Sequence, residues 1–138
     1  MRDTNMFKGK FGTAINCMDG RVQLPVIKWL KENYHLDYID MITEPGPEKV
    51  LSHGEEIESL KSKVLLSVKV HGSNTLAIVG HHDCAGNPVS KEEQLNQIRR
   101  AVQVIYSWNL KAIQKVIGLW VDDSWKIEVV DISEEGGK

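Results

Sequence analysis

The chain reads as a single α/β domain built on a mostly parallel central sheet, about four parallel strands plus one antiparallel edge strand, with helices on both faces. Three observations predict it. Short apolar runs alternate with longer stretches whose apolar residues recur every three or four positions, in the order β-α-β-α-β-α-β-β. The run Thr75-Leu76-Ala77-Ile78-Val79 is apolar on successive residues, as a strand covered on both faces must be. The last two runs are separated only by Asp122, Asp123 and Ser124, too short a link for a crossover, so they form an antiparallel hairpin.

Taken in order, residues 1–10 are polar without periodicity and read as a frayed lead-in. Phe11 to Asn16 is the first strand and carries Cys17 at its carboxyl end. From Val22 to about Tyr34, apolar residues at 22, 26, 27, 29 and 30 mark a helix, with Pro25 in its first turn, where a missing amide proton costs little. Tyr38 to Thr43 is the second strand. It ends at Glu44-Pro45-Gly46-Pro47, because two prolines around a glycine cannot continue a ladder, and a loop is expected from there to Ser52.

Ser52-His53-Gly54-Glu55 has capping-box spacing, and Ile57, Leu60, Val64, Leu65 and Val68 then repeat at helical intervals up to a stop at Gly72. The central strand Thr75–Val79 delivers Gly80 and His81. Ser90-Lys91-Glu92-Glu93 is a second capping-box pattern, opening a helix through Leu95, Ile98, Ala101, Val102 and Ile105 to about Trp108. Lys115 to Val121 and Trp125 to Ile132 are the hairpin strands. One domain thus spans 1–138, with 1–10 and 133–138 as flexible ends.

A chain of 138 residues closes one core, and 41% hydrophobic with 26% charged residues is ordinary for a soluble globular protein. No apolar run approaches a membrane span, and the amino terminus has no apolar signal region, so a cytoplasmic location is expected and a membrane partner is not. A formal net charge of −2 offers no general attraction to phosphate backbones. The only basic clusters, Arg99-Arg100 and Lys61/Lys63, fall on solvated helix faces, and nucleic acid is not expected as a partner.

Two stretches carry chemistry: Cys17-Met18-Asp19-Gly20-Arg21 and Gly80-His81-His82-Asp83-Cys84. Each follows a strand, and open α/β sheets place their ligand sites at strand ends. Two cysteines are compatible with a disulfide, a redox pair, a metal site or two inert buried thiols. A chain without a secretory signal argues against the disulfide, and a neighbouring His points to metal or to thiol reactivity. Two thiolates with one imidazole bind zinc and leave a fourth tetrahedral position open, the layout of a catalytic site, so Cys17, His81 and Cys84 are the candidate ligands. Cobalt or iron fits the same donors.

Asp19 and Arg21 taken alone are an ordinary helix cap and a surface residue. Beside a metal, Arg21 can hold the Asp19 carboxylate ionised and aimed through a bidentate pair. Interaction with helix carbonyls accounts for His35 and His71. The tryptophans at 29, 108, 120 and 125 fit core or subunit contacts, since none flanks a motif.

Cys-x-Asp-x-Arg at 17–21 and His-x-x-Cys at 81–84, each closing a strand, resemble the zinc signature of the β-class carbonic anhydrases. The final strand, acidic turn and antiparallel edge strand also resemble the close of that family's core. The resemblance implies one Zn2+ per chain on Cys17, His81 and Cys84, with Asp19 and Arg21 as the catalytic pair. The implied reaction is reversible hydration of carbon dioxide to bicarbonate through zinc-bound hydroxide, to which Asp19 would offer a hydrogen-bond acceptor. It further implies an alternate state in which Arg21 swings away and Asp19 ligates zinc. His82 and Asp83 are the candidates for carrying the proton out. An exposed sheet edge predicts a homodimer or higher homo-oligomer.

The chain departs from the family pattern after the second strand, where Thr43-Glu44-Pro45-Gly46 replaces an Arg-Asn-Ala-Gly stretch, and after the second Cys, where Ala85 precedes Gly86. Two other readings follow. One is a carbonic-anhydrase-like zinc protein with weak or no CO2 hydration, or one acting on another small electrophile such as carbon disulfide. The other is a metal-free thiol redox or peroxide-sensing protein using Cys17 and Cys84.

Overall fold

Five strands join into one sheet in the order β2-β1-β3-β4-β5 in the computed structural model, which describes residues 9–134. They are β1 (Phe11–Cys17), β2 (Tyr38–Glu44), β3 (Thr75–His81), β4 (Lys115–Val121) and β5 (Ile127–Glu134). β1 pairs in parallel with β2 and β3, β3 in parallel with β4, and β4 antiparallel with β5, with one register irregularity between Gly118 and Leu119. The mostly parallel sheet with one antiparallel edge is therefore the architecture. Every residue of β3 is buried, as its continuous apolar run requires for a strand covered on both faces.

Helices lie on both faces. On one, α1 (Gln23–Tyr34) sets Val26 and Leu30 against Ala14, Ala77 and Leu119 of the sheet. On the other, α2 (Pro47–His53), α3 (Glu58–His71) and α4 (Lys91–Ser107) bury Leu51, Leu60, Val64, Val102 and Ile105 against Ile15, Leu76 and Ile78. Each such fully buried Leu or Ile is worth roughly 1.5–3 kcal/mol of transfer free energy. The ends of α4 are set as its sequence specifies, with the Ser90 hydroxyl accepting from the Glu93 amide at 3.1 Å.

Three local expectations are corrected. The stretch expected as a loop up to Ser52 contains α2, because Pro47 sits at the first helical position, where its fixed φ favours entry, and Gly46 takes the left-handed N-cap. The capping-box pattern at Ser52 opens no helix: Ser52 lies inside α2 and its hydroxyl donates to the Lys49 carbonyl, while α3 starts at Glu58. β5 begins at Ile127 rather than Trp125, because Trp125 has φ +61 and stands in the turn closed by the Asp122 amide on the Lys126 carbonyl.

The ladder runs on through Ser133 and Glu134, which pair with Val116 and Lys115. The rest of the lead-in and tail, 1–8 and 135–138, lies outside the described residues. His71 finds Asp40, at 2.6 Å from its Nδ1, rather than helix carbonyls alone. Among the described residues, no helix is long and apolar enough to cross a membrane.

Candidate metal centre

The carboxyl ends of β1 and β3 are neighbours in a parallel pair, so Cys17 and His81 arrive side by side although sixty-odd residues separate them. The turn after β3 then brings Cys84 back. Cys17, His81 and Cys84 are all buried, and their donor atoms lie within 4.8 Å of one another. The two Sγ atoms are 3.8 Å apart. Two zinc–sulfur bonds of about 2.3 Å at a tetrahedral angle span about 3.8 Å, so the thiols stand at the separation such an ion would impose.

The imidazole is prepared in the same way. His81 Nδ1 lies 2.7 Å from the His82 carbonyl, which can only accept, so the proton sits on Nδ1 and Nε2 carries a free lone pair. His81 Nε2 is buried without a hydrogen-bond partner among the described residues. A buried, unpaired nitrogen facing two thiols is costly unless a ligand completes it. These donors therefore fit a metal ion of zinc's size and ligand preference.

The two thiols act on each other: their mutual hydrogen bond lowers the Cys17 pKa against the opposing effect of burial, while the same bond and burial push Cys84 up. Backbone amides of Gly46 and Gly86 also point at Cys17 and Cys84 respectively and favour their thiolates. These two glycines touch: a Cβ on Gly46 would lie 2.8 Å from Asn87 Cβ, and one on Gly86 would lie 2.7 Å from Pro45 Cβ. Gly46 has φ +56 as well, so its conformation and its neighbours both demand glycine. The late glycine after the second Cys is thus the residue that lets the 84–88 loop lie against Pro45 and Gly46.

Asp19 lies at the edge of this centre, its Oδ2 4.0 Å from His81 Nε2. It caps the 3-10 turn Gly20–Val22 by accepting from the Arg21 amide at 2.9 Å, so the ordinary capping role is real. It is also gripped by the Arg21 side chain, Nε to Oδ1 at 3.0 Å and Nη2 to Oδ2 at 2.6 Å. That pairing holds its carboxyl down at about 2. Gln23 steadies the segment, its Nε2 donating to the carbonyls of Cys17 at 2.7 Å and Asp19 at 2.9 Å.

Asp83 and Trp125 went unrecognised as neighbours of Arg21 from the sequence. Arg21 Nη1 reaches Asp83 Oδ2 at 3.2 Å, and the guanidinium carbon lies 5.0 Å from the centre of the Trp125 ring. Trp125 packs partly buried against the core, as its reading expected, and although it flanks no motif in sequence it also flanks one in space. Glu48 was likewise invisible. It is fully buried behind the centre, accepts from Asn87 Nδ2 at 2.9 Å, and leaves Oε1 unpartnered. Burial raises its pKa.

A family described as "Putative carbonic anhydrase" matches residues 7–131, most of the chain. The chain belongs to that carbonic anhydrase family. No curated protein matches it in sequence. Among solved structures, this carbonic anhydrase family member is similar to the β-carbonic anhydrase CafA of the fungal pathogen Aspergillus fumigatus, at 15% identity and a TM-score of 0.53, covering 88% of this chain and 75% of that one. It is also similar to a tetrameric β-carbonic anhydrase of the filamentous ascomycete Sordaria macrospora, at 13% identity and a TM-score of 0.50, covering 91% of this chain and 83% of that one. At such identities the likeness is one of fold.

Proposed function

We propose that the chain is a zinc-dependent lyase that hydrates carbon dioxide reversibly to bicarbonate, with Cys17, His81 and Cys84 holding the metal and Asp19, aimed by Arg21, as the catalytic carboxylate. The observation that supports it most is the donor set itself: two buried sulfurs 3.8 Å apart facing an unpaired imidazole nitrogen, at the strand ends of a carbonic-anhydrase-family fold. Bound zinc supplies a Lewis acid that makes water nucleophilic near neutral pH.

The chain's own groups do the rest. Asp19 is ionised at any physiological pH, so its oxygens only accept hydrogen bonds. A water or hydroxide beside His81 must turn its proton toward Asp19 and its lone pair toward substrate. Arg21 keeps the carboxylate in that aim by a two-point pair that a single rotation cannot satisfy elsewhere. Asp83 is committed to Arg21, which leaves the exposed His82 to carry the released proton from the cleft of about 240 Å³ that it lines with Asp122 and Asp123.

The same reading makes the protein a homo-oligomer, as the Sordaria relative is described to be tetrameric. Exposed Met18 and Leu24, 63% and 77% accessible beside the centre, supply apolar surface for such a contact.

The test is stopped-flow CO2 hydration on protein loaded with one zinc per chain, beside Cys17→Ser prepared identically. Hydration well above buffer that disappears in the variant supports the lyase. No hydration from neutral to alkaline pH at full zinc would overturn it and favour another small electrophile, carbon disulfide first among them. Failure to retain zinc against mild chelation would favour the thiol redox reading.

A further inference from the structure

Arg21 has more anchors than its pairing with Asp19 requires. One edge of the guanidinium, Nε and Nη2, meets the Asp19 carboxylate. The other edge belongs to Asp83, with Nη1 donating to its Oδ2 at 3.2 Å and Nη2 to its carbonyl oxygen at 3.1 Å. The face belongs to Trp125, whose ring attracts the cation across 5.0 Å. Four of the five N–H donors are thus engaged, two of them on a residue from another strand end.

Both extra anchors sit on left-handed backbone. Asp83 has φ +59, which a short polar residue adopts more readily than most, and Trp125 has φ +61, where a bulky L-residue is rare. Such strain persists only where the surroundings over-determine it, and it gathers at functional sites. At Asp83 the conformation lets one residue present its carboxylate and its carbonyl to the same guanidinium. At Trp125 it turns the ring at the tip of the β4–β5 hairpin over Arg21.

We propose that Asp83 and Trp125 are positioning residues forming a clamp that fixes the Arg21 guanidinium independently of Asp19, so that the Asp19 carboxylate is kept facing Arg21 and off the metal. The inference rests on the reading above, in which Asp19 is the orienting carboxylate. It runs against the expectation that Arg21 swings away to release Asp19. An Asp19 that turned to the metal would leave behind a guanidinium unable to follow, and would forfeit charge-assisted bonds with nothing to replace them.

The experiment follows the Arg21 Nε–H by 15N relaxation in the zinc-loaded full chain. In the parent protein the Arg21 order parameter should sit near the rigid value of about 0.85. Asp19→Ala should leave it there, because the clamp does not need Asp19. Adding Asp83→Gly and Trp125→Asn to Asp19→Ala should drop it below about 0.6, while Trp125→Phe in the Asp19→Ala background, which keeps an aromatic face, should hold it. Gly and Asn both tolerate left-handed backbone, so the double variant Asp83→Gly/Trp125→Asn keeps the loop geometry, and a backbone amide spectrum unchanged away from the two positions verifies this. In the cobalt-loaded double variant the visible spectrum should shift as a carboxylate joins the metal, and adding Asp19→Ala should reverse the shift.

Arg21 becoming mobile in Asp19→Ala, or staying rigid when Asp83→Gly and Trp125→Asn are added to Asp19→Ala, would overturn the clamp. These readouts do not depend on turnover. A clamp that behaves as stated in a protein without CO2 hydration would sink the lyase alone, and hydration by the parent with an Arg21 that stays rigid after all three changes would sink the clamp alone.

Discussion

Glu48 is the residue most at odds with its surroundings. It is fully buried, accepts a hydrogen bond from Asn87, and has a pKa raised chiefly by burial. Its folded pKa therefore lies above the unfolded value near ~4.3. The stability this group contributes is full below that pH and is lost as the pH rises through the folded pKa. Glu48→Gln keeps an oxygen for Asn87 and removes the charge. In the same metal state it should have the higher urea midpoint at pH 8, with the gap closing toward pH 4. Equal midpoints at pH 8 would mean that the buried carboxylate is fully compensated when ionised. No sequence feature flags Glu48, because a glutamate just after Pro47 in a helix's first turn is what an exposed helix start also carries. By contrast, Cys17, Asp19, Arg21, His81 and Cys84 were legible as a group, since their donor chemistry is rare and each stretch closes an apolar strand. What the sequence could not give is which residues hold Arg21, since Asp83 is 62 positions away from it.

At the scale of elements, strands and the longer helices were readable because period and length agreed. β3 is continuous, α1 and α4 keep one apolar stripe, and Gly72 ends α3 in the left-handed conformation that glycine favours. The misreadings share a cause. Ser-x-x-Glu describes both the residues after Ser52 and those after Ser90, but only at 90 does a free helix start follow; at 52 an earlier helix begun by Pro47 has already used the serine. The Ser90 cap is therefore a sharp test. Ser90→Ala should lower stability by about 1 kcal/mol in urea denaturation, the usual worth of a lost N-cap hydrogen bond. No change would mean that solvent satisfies the first turn of α4 equally well. Because Gln94 in that turn donates to the His81 carbonyl at 3.1 Å, a frayed start also loosens the strand end that carries His81.

For the molecule as a whole, the sheet has, among the described residues, two unpaired outer edges, β2 and β5, and apolar side chains stand open near each: Tyr38 at 54%, Val129 at 46% and Ile132 at 43% accessibility. Unpaired edges of this kind invite another chain unless blocked. Light scattering on purified protein at tens of micromolar should return at least twice the chain mass of 15.6 kDa, and a clean monomer would overturn the oligomer reading. The two sulfurs of the candidate metal centre have a different consequence. They belong to residues 67 positions apart, so an ion held between them ties a long loop of the unfolded chain. Closing a loop of that length removes chain entropy worth about 4 kcal/mol at room temperature, which a metal captured early would prepay and one captured late would not. During synthesis an ion could therefore bridge the two sulfurs only after Cys84 has left the ribosome. The order in which metal arrives and chain collapses then becomes a choice between two folding routes to the same centre.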